Sequence, residues 1–179
     1  MLFAGAVTAV GWTAVRADRL TVTSSAFADG ATIPAVYAFR GCASGAENRS
    51  PQISWRGAPA GTKSYAITMF DPDAPTGHGF WHWVVFNVPA SVHGLDSGAA
   101  ARTESLHGAI IGHADFGTSS YGGPCPPPGD KPHHYVITVR ALDVALVPGG
   151  TSSTTGPQLV AAVEGHVVAE GKLIGRFGR

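Results

Sequence analysis

From Leu20 onward the apolar positions of this chain recur mostly in short runs and at every second residue, the spacing of strands rather than of helices. Leu20 to Ser24 alternates as a strand, and after the Asp29-Gly30 turn Ile33-Pro34 and Val36 to Phe39 read as further opening strands. Gln52 to Trp55 is a short strand, Tyr65 to Phe70 a compact apolar run, and Phe80 to Val88 a run of aromatic and β-branched residues with His82 as its one ionisable group. Tyr135 to Leu142 alternates again, and Leu173 to Phe177 reads as a closing strand. Between them, Gly41 to Pro51 is a polar loop in which the sequon-like Asn48-Arg49-Ser50 serves turn chemistry, and Pro89 to Asp115 carries no clear period. Helical spacing is predicted once: Thr155 and Gly156 cap a helix, Pro157 sits in its first turn, and Leu159, Val160, Val163 and Val167 form an apolar stripe running towards Gly171. The stripe should lie against a sheet, so the pattern predicts one β-dominated domain with few helices.

Composition narrows this picture. The chain has 179 residues, suited to one domain with one core, and its 24 glycines and 13 prolines fit many tight turns. Twelve basic and twelve acidic residues balance, which leaves no electrostatic footprint for nucleic acid and no basic face for anionic membranes. Leu2 to Val15 is apolar without alternation and too short for an ordinary membrane span. It resembles the hydrophobic region of a signal peptide, with Val15 and Ala17 at the cleavage offsets and cleavage expected near Ala17, but it lacks the basic leading region. Residues 1–17 therefore read as a signal peptide or as an N-terminal extension packed on the domain, and residues 18–179 as that domain. The two cysteines and the unclustered histidines lack the spacing of a zinc site, so no metal and no cofactor is expected.

Candidate chemistry gathers in two proline-rich stretches. In Asp71-Pro72-Asp73-Ala74-Pro75 the prolines exclude helix, and an extended course would present the Asp71 and Asp73 carboxylates on one side of a stiff loop, shortly before His82. The second stretch, Tyr121 to Tyr135, sets a rigid Gly/Pro loop against His133, His134 and Tyr135. A carboxylate beside an imidazole raises the imidazole's pKa, so His82 and His133 are expected to stay protonated and donate to an anion, which should bind more tightly as pH falls from about 8 towards about 6. Backbone N–H groups at Gly122 and Gly123 are expected as further donors. The scattered His93, His107 and His113 read as solvated. There is no G-x-S-x-G elbow and neither cysteine lies in a catalytic signature, so the expectation is a binding site and not an enzyme. An acid/base hydrolase using the Asp/His groups is the alternative.

DPDAP with a downstream His-Trp, followed by a GGPxPPxG loop ending in His-x-Tyr, resembles the phosphatidylethanolamine-binding protein (PEBP) family, in particular its bacterial YbhB and YbcL type, also called Raf-kinase-inhibitor-like. The resemblance runs from about Leu20 to the C-terminus. It implies a β-sandwich of two antiparallel sheets with a few short helices, one near the C-terminus. At one end of the large sheet it implies a pocket for a small anion such as phosphate or a phospholipid head group, comprising Asp71, Asp73, Ala74, Pro75 and His82 with Gly123, Pro124, His133 and Tyr135. A cis Ala74–Pro75 bond is expected by the same likeness. Cysteines at positions 42 and 125 resemble the exported branch of the family, implying a Cys42–Cys125 disulfide worth about 2–4 kcal/mol and a periplasmic, envelope-bound or secreted protein, with a cytoplasmic one as the alternative. Because relatives inhibit kinases or serine proteases, a protein partner of either kind is a second reading of function. The chain is expected as a monomer or homodimer. It departs from the family pattern at Ala114, before Asp115-Phe116-Gly117, and at His134, where relatives commonly carry Arg, so the rim is expected to differ and to lose one fixed charge.

Overall fold

The computed structural model describes residues 18–179, so the expected leader and its cleavage near Ala17 lie outside the described residues. In chain order the elements are β1 (Asp18–Arg19), β2 (Thr21–Thr23), β3 (Ile53–Arg56), β4 (Ser64–Asp71), β5 (Phe80–Pro89), β6 (Gly94–Leu95), β7 (Ile110–Ile111), β8 (His133–Leu142), α1 (Gly156–Ala162) and β9 (Val167–Phe177). They form a six-stranded sheet in the order β1-β9-β8-β4-β5-β7 and a three-stranded sheet in the order β2-β3-β6. Pairing is antiparallel throughout, except that the two-residue β1 runs parallel to β9.

One hydrophobic cluster joins the two sheets: Val22, Ile53, Trp55 and Leu95 from the small sheet meet Tyr65, Ile67, Met69, Trp83, Val85, Ile137 and Val139 from the large one. A second cluster covers the opposite face of the large sheet, where Ala66, Val84, Phe86 and Leu142 pack against Val147, Leu159 and Val163. Strands covered on both faces need apolar residues at successive positions, which is why β4 and β5 read as continuous apolar runs rather than as alternating ones.

Three expectations are corrected. The strand expected over Val36 to Phe39 is a single 3-10 turn, Ala35–Tyr37, entered through Pro34. The carbonyl of Val36 is taken by the N–H groups of Glu47 and Arg49, so this loop closes on itself and offers no ladder to a sheet. The helix does not run towards Gly171 but ends at Ala162. Gly165 adopts φ 83° and β9 then pairs with β8 from Leu142↔Val167 to His133↔Phe177. Alternating burial at Ala169, Gly171, Leu173, Gly175 and Phe177 accompanies that long-range ladder, which outweighs the local helical spacing of Val163 and Val167. Among the described residues there is no cis peptide bond, so Ala74–Pro75 is trans. Thr76 N–H donates to the Ala74 carbonyl at 2.7 Å across Pro75, a three-residue turn that uses the φ proline already favours.

Candidate functional site

Strands β8, β4 and β5 are neighbours, and at one end of the sheet they bring the two proline-rich stretches together. Asp71 is the last residue of β4, His82 the third of β5, and His133 and Tyr135 the first and third of β8. Residues two apart on a strand share a face, so Phe80 accompanies His82 as Tyr135 accompanies His133.

Asp71 is buried with both oxygens engaged: Oδ1 accepts the Asp73 N–H at 2.8 Å and Oδ2 accepts Nδ1–H of His133 at 2.8 Å. His133 Nε2 lies 3.4 Å from Asp130 Oδ2. His82 is held twice by one residue, since its carbonyl accepts the Gly122 N–H at 2.9 Å and its Nδ1–H donates to the Gly122 carbonyl at 2.8 Å. Its ring sits 5.1 Å from Phe80, 5.4 Å from Phe116 and 5.1 Å from Tyr135, and among the described residues its Nε2 makes no hydrogen bond. The Tyr135 hydroxyl is buried near Asp71 and the Cys125 backbone, and among the described residues it completes a well-formed hydrogen bond with none.

These groups line a cavity of about 210 Å³. Its polar groups are Asp71, His82, His133 and Tyr135. Ala74, Pro75, Phe80, Phe116, Pro126 and Pro127 give it largely apolar walls, with Thr76 and Cys125 completing the lining. Of the nine residues expected at an anion pocket, Asp71, Ala74, Pro75, His82, His133 and Tyr135 face this space and Asp73, Gly123 and Pro124 do not. The stretch from Asp71 is not extended: Asp71 closes a side-chain turn onto the Asp73 N–H, and the Asp73 carboxylate leaves the pocket to accept the backbone N–H of His134 and its Nδ1–H, each at 2.7 Å. The supposed acidic pair is therefore split between two histidines. Nor do the glycines lend N–H groups to the pocket. Gly122 donates to His82, and Gly123 donates to Asn48 Oδ1 at 2.7 Å in a place so tight that a Cβ would meet the Tyr37 carbonyl oxygen at 2.1 Å.

Sequence reasoning missed several contributors. Phe80 was legible from its two-residue offset to His82, whereas Phe116, named only within Asp115-Phe116-Gly117, arrives from a loop whose side-chain directions no spacing gives. Asn48, read only as turn chemistry, has φ 59° and also ties the Tyr121 carbonyl at 3.2 Å, so it bolts the Gly41 to Pro51 loop to the second motif. The Cys42–Cys125 disulfide and a Phe39 N–H bond to the Pro124 carbonyl fasten the same two segments.

The two pocket histidines differ in charge tendency. For His133, burial opposes the proton, but the hydrogen bond and charge of Asp71, with help from Asp130 and Asp73, raise its pKa above the ordinary histidine value. For His82, burial prevails over the Gly122 carbonyl and the more distant Asp71 and Asp115 charges, and the pKa is lowered. The expectation that both imidazoles are held protonated is thus corrected for His82, which lacks a carboxylate in contact. Tyr135 is pushed up by burial first and by Asp71 second, so its hydroxyl keeps its proton. Among the described residues no group of three or more His, Cys, Asp or Glu is placed to hold a metal ion, and no helix is long and apolar enough to cross a membrane.

Comparison with known proteins agrees with this architecture. A family model, phosphatidylethanolamine-binding protein, matches residues 23–178. YbcL of Escherichia coli (strain K12) is 44% identical over 141 residues, 78% of this chain and 77% of that protein. YbhB of the same organism is 40% identical over 129 residues, 72% and 81% respectively. The crystal structure of E. coli YbcL, described as a new member of the mammalian PEBP family, superposes with a TM-score of 0.83 at 38% identity, covering 90% of this chain and 99% of that one.

Proposed function

The chain belongs to the phosphatidylethanolamine-binding protein family, and from that premise we propose that its cavity binds a small oxyanion, free phosphate or a phosphate-bearing head group, without turning it over. The observation that carries this reading is the buried Tyr135 hydroxyl, which among the described residues completes no well-formed hydrogen bond and lines the cavity beside the proton-holding His133. A buried hydroxyl left unpaired costs about 1–3 kcal/mol, and an oxyanion that accepts from it removes that cost. At about 210 Å³ the cavity is smaller than the roughly 300–1,000 Å³ of drug-sized sites, so a head group fits the proposal better than a whole lipid.

Binding without turnover is favoured because the threonine hydroxyl, the cysteine sulfur and the carboxylate at the cavity are already engaged. Thr76 Oγ1–H donates to the Gly79 carbonyl at 2.6 Å, Cys125 is in the disulfide, and both Asp71 oxygens accept hydrogen bonds. The disulfide, joining positions 83 residues apart, also supports an exported protein, since such bonds persist in oxidising compartments.

Calorimetry with inorganic phosphate at about pH 6 tests the reading. Binding should weaken roughly tenfold in Tyr135→Phe, an amount equal to about 1.4 kcal/mol, and in His133→Gln by at least as much. Tyr135→Phe should at the same time leave the free protein as stable as before or more so. Unchanged phosphate affinity in both variants would move the function elsewhere on the surface.

A further inference from the structure

The hydrogen-bonding inventory of the cavity is lopsided. Tyr135 offers an O–H and His133 an N–H through Nε2, shared with the more distant Asp130, so two donors face a ligand. His82 is different: because its Nδ1–H is committed to the Gly122 carbonyl at 2.8 Å, a neutral ring must present Nε2 to the cavity as a lone-pair acceptor. Among the described residues no Arg or Lys lines the cavity, and the charge of His133 is already answered by Asp71 at 2.8 Å. A phosphate dianion would therefore find no surplus positive charge and would set an oxygen lone pair against that of Nε2.

We propose that the site selects the protonated monoanion of a phosphate monoester or of free phosphate, whose P–OH donates to His82 Nε2 while its other oxygens accept from Tyr135 and His133, and that it discriminates against phosphodiesters, which have no proton to give. The proposal rests on the oxyanion reading of the pocket and adds His82 as its specificity-determining residue. No bond is made or broken: one proton is shared between ligand oxygen and Nε2, and the ligand brings it. A diester or a sulfate ester either leaves the Nε2 lone pair without a donor or must meet a protonated His82. That form is disfavoured here, because burial of the ring among Phe80, Phe116 and Tyr135 outweighs the charges of Asp71 on β4 and Asp115 beside Phe116, which favour it. His133 in turn faces Asp71, Asp130 and Asp73.

Four probes separate the outcomes: methyl phosphate against methyl sulfate, a monoanion of the same size without the proton, and phosphoethanolamine against glycerophosphoethanolamine, a monoester against the diester form of the same head group. By calorimetry at pH about 6, close to the second pKa of a phosphate monoester, methyl phosphate and phosphoethanolamine should each bind at least tenfold more tightly than their partner. Methyl phosphate affinity should fall towards tenfold per unit as the pH is raised well above that pKa. Nitrogen-15 NMR of the methyl phosphate complex should show His82 Nδ1 protonated, with Nε2 as acceptor. Equal affinity within both ligand pairs would overturn the selectivity and leave oxyanion binding standing. Absence of binding for all four would overturn the oxyanion reading and the selectivity together.

Discussion

Asp71 meets His133 at 2.8 Å and, two residues on, Asp73 meets His134 at 2.7 Å. The two pairs use the same side chains, the same Nδ1 atom and adjoining residues of the same two segments. The side chains of the first pair are 5% and 3% exposed, those of the second 43% and 42%. Burial makes the first pair an element of the fold and of the pocket, because removing either partner strands a polar group away from water. Water screens the second, which holds the acidic loop onto β8 from outside. An aspartate–histidine contact is thus not one kind of interaction. Its surroundings, and not its distance, determine what it contributes.

The largest effect should come from breaking the inner pair. Asp71→Ala is expected to destabilise the protein by about 3–5 kcal/mol, read as a lowered midpoint in urea denaturation, since His133 loses its buried partner and Asp73 N–H its acceptor. A loss no greater than that of an exposed pair would contradict the distinction between them.

A smaller, pH-dependent effect separates His133 from His82. The folded pKa of His133 is raised, so its stabilisation is complete below the unfolded value of about 6.5 and is lost as pH rises through the folded value. The folded pKa of His82 is lowered, so its contribution is present above about 6.5 and is lost as pH falls below that value towards the folded one. Denaturation measured from about pH 5.5 to 8.5 should show His133→Gln flattening the alkaline limb and His82→Gln flattening the acid limb. Both variants flattening the same limb would be inconsistent with these opposite shifts.

The smallest effect belongs to the outer pair. Asp73→Asn is expected to cost under about 1 kcal/mol and to leave phosphate affinity within about twofold, because an exposed pair is screened and Asp73 does not line the cavity. A tenfold loss of affinity in the same calorimetric titration would return Asp73 to the site.

By itself the sequence determined that this is a β-rich domain, and the resemblance of its two motifs to a known family implied that Asp71, His82, His133 and Tyr135 belong together. Strand periodicity, proline geometry and the two motifs are local properties, legible wherever side-chain direction follows from spacing of two. Tertiary structure alone decided what depends on distant partners. The ladder with β8 stopped the C-terminal helix at Ala162, the Asp71 side-chain turn sent Asp73 out to His134, Phe116 came into the wall from an unreadable loop, and the Gly122 and Gly123 donors were used within the protein. The charge of His82 was decided there too, because desolvation depends on everything packed around a ring and not on its neighbours in the chain.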